Sequence, residues 1–153
     1  MRCSLATKHR GTTAETRVLD TYIKLRRAVN AVGLLEGAEM RKSELTESQF
    51  GVLEALLHLG PLCQRELAEK VLKSAGNMTT VVDNLERRGL VERSREGDDR
   101  RVVTVHLTTE GKQLIREVFP RVVGVLVDAF STLTASDQKQ LAALCRRLGT
   151  TES

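Results

Sequence analysis

The run QRELAEKVLKSAGNMTTVVDNLERRGLVER, Gln64 to Arg93, decides the architecture. Leu67, Ala68 and Val71 recur at helical spacing through a short first helix, about Gln64 to Leu72. Lys73-Ser74-Ala75-Gly76 has the composition of a tight turn, and the Ser74 hydroxyl, able to accept an orphan backbone N–H, makes it a natural N-cap for a second helix reaching Arg88. Gly89 follows as the glycine that closes a helix in the left-handed region. From Leu90 the period changes. Val91, Arg93 and Arg95 alternate with polar neighbours, Gly97-Asp98-Asp99 forms a turn, and Val103, Val105 and Leu107 alternate again, the pattern of a β-hairpin. Two strands alone are marginal in water, so this hairpin must lean on the helices before it.

Toward the N-terminus, Thr46 and Gln49 have the spacing of a capping box. The helix it opens runs to about Leu59, buries Phe50, Leu53, Leu56 and Leu57, and stops at Gly60-Pro61. Before it, Val18, Tyr22, Leu25, Val29 and Val32 recur at alternating intervals of four and three, one apolar stripe of a long helix from about Thr16 to Met40. Residues 1–14 are polar and unpatterned, a mobile arm. Toward the C-terminus, Thr108 caps a helix to about Phe130 through Leu114, Ile115, Val118, Val122, Val125 and Leu126, where Pro120 predicts a kink or short break. Thr134 with Asp137 opens a last helix through Leu141, Leu144 and Leu148, closed by Gly149.

Helix, short helix, tight turn, helix and hairpin, in that order, make a mainly α fold with a small β-hairpin wing, a winged helix-turn-helix over 46–108. Residues 15–45 and 109–149 form a helical lobe beside it. Its apolar stripes exceed what one small wing-bearing lobe can cover, so the chain is expected to be a homodimer.

Composition narrows the function. The chain has 153 residues, 41% hydrophobic and 29% charged, enough apolar material for one core. Aromatics are 3% with no Trp, which argues against stacking platforms for single-stranded nucleic acid. Net charge is +4, but residues 46–108 carry nine Lys/Arg against ten Asp/Glu. A DNA argument must therefore rest on where the cations sit. Cys3, Cys63 and Cys145 are far apart, which fits neither disulfides nor zinc, and His58 and His106 lack a second ligand at metal spacing. With no signal-like apolar run and no membrane-length stretch, the chain is expected in the cytoplasm, and no cofactor is called for. No phosphate loop, nucleophile elbow or HExxH is present, so an enzyme is not expected.

At 100° per residue, Met78, Val81, Val82 and Leu85 of the second helix share one face and must be core. The opposite face holds Gly76, Thr79, Thr80, Asp83, Asn84 and Arg87, small and hydrogen-bonding as a helix in the DNA major groove requires, though a merely solvated face has the same periodicity. Ser74 and Asn77 adjoin it at the helix start. The hairpin adds Arg93, Arg95, Arg100 and Arg101, placed to follow phosphates or enter a minor groove, with Asp99 able to hold an arginine in position. Thr80 and Asn84 are the expected base readers and Arg101 the wing anchor. Tyr22, Arg26 and His58 are candidates for a ligand pocket. Cys63, at a loop–helix junction beside Arg65, is either a redox sensor or a packed thiol.

Leu45-Thr46, Leu53, Arg65-Glu66-Leu67-Ala68, the run Asn77 to Val91, Asp99-Arg100-Arg101 and Leu107-Thr108-Thr109-Glu110-Gly111 together resemble the MarR family of bacterial regulators, over about residues 16–149. The resemblance implies a triangular dimer on palindromic double-stranded DNA, repression, and release by a small, often phenolic, ligand or by thiol oxidation. The chain departs from the peroxide-sensing branch, whose reactive Cys lies early in the first helix, where Tyr22 stands here. Two other readings stay open: a redox-sensing repressor acting through a cysteine, and a winged-helix module that binds protein. Steep salt dependence separates DNA binding from the latter.

Overall fold

The computed structural model of the chain describes residues 9–71, 75–95 and 103–149. The elements run α1 (Thr13–Arg41), α2 (Glu47–Leu59), β1 (Leu62–Cys63), α3 (Gln64–Val71), α4 (Ala75–Arg87), β2 (Val91–Ser94), β3 (Thr104–Leu107), α5 (Thr109–Phe130) and α6 (Ala135–Gly149). This is a winged helix-turn-helix, mostly helical, with a small antiparallel sheet of order β1-β3-β2. The chain divides into two compact units, one of residues up to Glu36 with those from Leu126 onward, the other Gly37–Val125. α1 and α5 contribute to both.

In the second unit, Val52 and Leu53 of α2, Leu67 of α3, Met78, Val82 and Leu85 of α4, Val105 of β3 and Ile115 and Val118 of α5 have no solvent exposure. Each helix end has a local cause. Thr46 Oγ1 accepts from Gln49 N while Gln49 Oε1 accepts from Thr46 N, a closed capping box. The last turn of α4 ends in a Schellman pattern: Gly89, at φ 68°, donates to Glu86 O, and Leu90 donates to Leu85 O. Thr108 then locks the next helix onto that turn, its N–H donating to Leu90 O and its hydroxyl to Gly89 O while accepting from Gly111 N. Gly111 packs so closely that a Cβ there would sit 1.9 Å from Leu90 O.

Several expectations from sequence are corrected. α1 starts at Thr13, ahead of Thr16, because Thr12 and Glu15 form a capping box of their own. The wing sheet has three strands: Leu62 and Cys63, read as a loop–helix junction, pair with Val105 and Thr104. Val81, Leu57 and Leu114 are half-buried, at the margins of their stripes. α5 runs through Pro120 without a break. Pro120 and Arg116 are both exposed, so water can take the bond that the ring denies to the carbonyl four residues back. The turn at Gly97–Asp99 and Cys3 lie outside the described residues.

Candidate nucleic-acid interface

α4 is placed by its apolar face. With Met78, Val82 and Leu85 buried, Gly76, Asn77, Thr79, Thr80 and Arg87 are exposed on the other side, where Asn84 is half-buried. Gln64, the first residue of α3, donates from Nε2 to Thr79 Oγ1 at 3.4 Å and so joins this face. Asn84 Oδ1 accepts from Arg87 Nη2, leaving the Asn84 amide N–H groups directed by that bond. The face therefore offers hydroxyls, an amide and a guanidinium on a rigid helix, the groups that read base edges.

Asp83, on the polar face of α4, pairs with Arg93 of the hairpin. Arg93 of β2 donates through Nη2 to Asp83 Oδ1 and through Nη1 to Glu86 Oε2, both at 2.5 Å, and its backbone N–H donates to Glu86 Oε1. Burial disfavours the charged guanidinium, but the hydrogen bonds and charges of Asp83 and Glu86 outweigh it and hold the group above its ordinary range. Asp83 thus faces the wing. Arg95, just beyond β2, is exposed. Ser74, Asp99, Arg100 and Arg101 lie outside the described residues. The base of α4 is fixed by Arg88, which donates from Nη1 to Glu44 O at 2.8 Å and from Nη2 to Ser43 O. Neither Gln64 nor Arg88 was singled out in the sequence. Their partners lie 15 and 44 residues away, a separation no local period reports.

The remaining candidates sit apart from this face. Tyr22 and Arg26 meet each other on α1, Arg26 Nη1 donating to the Tyr22 hydroxyl at 3.3 Å with its guanidinium 5.9 Å from the ring centre. They belong to one unit and His58 to the other. His58 meets the edge of Phe119 at 4.8 Å and lines a hollow of about 260 Å³ with Gly51, Glu54, Lys70 and Val71. His106 is engaged across the sheet with Ser94 Oγ at 2.7 Å. At Cys63, Glu66 Oε2 accepts the backbone N–H at 2.8 Å. That bond and a second from the thiol hold the Glu66 carboxyl below its usual range. Arg65 instead lies 3.9 Å from Glu69. Among the described residues no group of three or more metal-ligating side chains occurs, and no single helix is long and apolar enough to cross a membrane.

Residues 45–103 match the model of the MarR family. An uncharacterized HTH-type transcriptional regulator of Bacillus subtilis, YkoM, is 30% identical over 133 residues, 87% of this chain and 86% of that protein. The HTH-type transcriptional repressor MdtR of B. subtilis is 31% identical over 71% of this chain and 70% of its own length. Among solved structures, BpsR of Bordetella bronchiseptica, whose DNA binding is regulated by 6-hydroxynicotinic acid, is 26% identical with a TM-score of 0.76, covering 84% of this chain and 98% of that one.

Proposed function

Because this chain belongs to the MarR family of DNA-binding transcription regulators, we propose that it is a homodimeric repressor that inserts two copies of α4 into a palindromic duplex and leaves it when a small aromatic ligand binds. The observation that carries the DNA reading is the polar face of α4, exposed Thr79, Thr80 and Arg87 with half-buried Asn84, seated on a core with no exposure. Thr80 and the Asn84–Arg87 pair read bases. Arg95, Arg100 and Arg101 follow the backbone, and Ser74 and Asn77 contact phosphate. Repression is supported by the likeness to MdtR, and an aromatic acid as signal by the likeness to BpsR.

Dimerisation rests on apolar side chains that one chain leaves in water. On α1, Val18, Val29 and Leu34 are exposed, and on α6, Leu144 and Leu148, with Val29 at 61% and Leu144 at 57%. α6 buries no residue at all. A monomer would carry this surface into solvent, and a two-fold partner removes it.

The test is selection of duplexes by the protein from a random-sequence pool, followed by measured affinity for selected and scrambled sites. A selected site is expected to bind at least about a thousandfold more tightly than a scrambled one. Asn84→Ala and Arg87→Ala should change preference at the same base pairs by ~1–3 kcal/mol. Arg95→Ala should weaken all sequences alike and lower the salt slope by about one unit. Equal affinity for scrambled duplex, or binding insensitive to salt, would transfer this face to a protein partner.

A further inference from the structure

A helix that enters a polyanion's groove should not bring uncompensated carboxylates, yet α4 does carry acids. Its charged side chains are Asp83, Glu86 and Arg87, a net charge of −1. Near phosphates, in a groove that excludes water, like charges repel more strongly than in bulk solvent. Both carboxylates are partly open to solvent, Asp83 at 48% and Glu86 at 40% of the side chain, while the Arg93 side chain between them is only 22% exposed. Arg93 is therefore drawn back toward the protein. Two of its three guanidinium nitrogens, Nη1 and Nη2, and its backbone N–H donate to these two acids. To reach a phosphate it would have to leave two charge-assisted hydrogen bonds and strand two anions on the reading helix.

We propose that Arg93 is a positioning and charge-masking residue: it offsets part of the negative charge of Asp83 and Glu86 on α4 and pins β2 against that helix, without touching DNA. The inference rests on the DNA reading above. It assigns opposite roles to two arginines two positions apart on the wing, Arg93 masking acids and Arg95 meeting the duplex. It also makes the two acids silent partners of recognition, since Asp83 is turned from the bases toward the wing.

The experiment uses full-length protein and a duplex selected by the wild type from a random pool. Arg93→Gln should weaken binding about tenfold, because two carboxylates then face the phosphates unopposed. The triple variant R93Q/D83N/E86Q keeps the shapes of the two acids, removes all three charges, and should return affinity to within about threefold of wild type, with thermal melting recorded for each. If Arg93→Gln does not fold, the triple variant still decides, since it leaves no unpaired charge. A triple variant that folds and melts as the wild type does yet binds as weakly as Arg93→Gln would overturn the charge mask, since a lost contact with DNA then explains the loss. An Arg93→Gln variant that folds and binds as the wild type does would equally overturn the mask. A wild type that selects no duplex would remove the DNA reading instead, and the inference with it.

Discussion

Among the described glycines, Gly111 has the closest neighbour. An added Cβ would meet Leu90 O at 1.9 Å, and a carbonyl in the Schellman turn cannot swing aside as a side-chain tip can. Gly111→Ala is expected to cost about 1–3 kcal/mol or more, read as a lowered urea midpoint at unchanged slope. Thr46→Ala, which opens the capping box of α2, should cost about 1 kcal/mol in the same assay. A third expectation concerns acid. Hydrogen bonds from the Thr134 side chain and backbone hold the Asp137 carboxyl below its ordinary range, and the Cys63 N–H does the same for Glu66. An unfolded carboxyl binds its proton at higher pH than these do, so their contribution is present above about pH 4 and lost as pH falls from there through their lowered native values. Asp137→Asn should shrink the difference in midpoint between pH 6 and pH 3; an unchanged difference would place the acid sensitivity elsewhere. The caps at Thr46, Thr108 and Thr134 were legible in sequence because a cap is a local bargain between residues three apart. Arg93 was not, because its acceptors lie seven and ten residues back and only the folded wing brings them near.

At the scale of elements, helix order and the period change at Leu90 were readable because they are patterns of several residues. β1 was not, since two residues cannot show alternation and only pairing with Val105 and Thr104 makes them a strand. The base of α4 was equally hidden. Arg88 holds the Ser43 and Glu44 carbonyls beyond α1, while Arg121 of α5 reaches Ser43 Oγ at 2.7 Å and buried Glu39 at 3.3 Å. Lys42 shares Glu39 at 2.5 Å. This cluster ties three helices to one turn, and its worth follows from burial: a carboxylate at 8% exposure deprived of a partner keeps its desolvation cost. Arg121→Ala should therefore destabilise by about 1–3 kcal/mol, and adding Glu39→Gln should recover part of that loss. Equal losses in the single and double variants would show that the arginine acts through packing alone.

At the scale of the molecule, the account depends on a second copy. Leu144→Glu or Val29→Glu, at exposed apolar positions that a folded single chain tolerates, should yield folded monomers with sharply reduced DNA affinity. Reading helices in a two-fold pair enter successive major grooves when about 34–36 Å apart, so a ligand that favours any other spacing releases DNA. A hundredfold weakening needs about 2.7 kcal/mol of such preference, within the usual range of coupling energies. Linkage then requires the selected duplex to weaken the binding of an aromatic acid by the same factor, measurable by calorimetry; independence of the two events would remove ligand control. The proposed second copy is read from the sequence only as a surplus of apolar stripe, since a sequence shows which side chains want cover and not what covers them. The most direct test of two copies gripping one site is the mass of the complex on a selected duplex, by light scattering. Two chains of 17.0 kDa on each duplex, with protected half-sites one helical turn apart, are predicted. One chain per duplex at undiminished affinity would contradict the account.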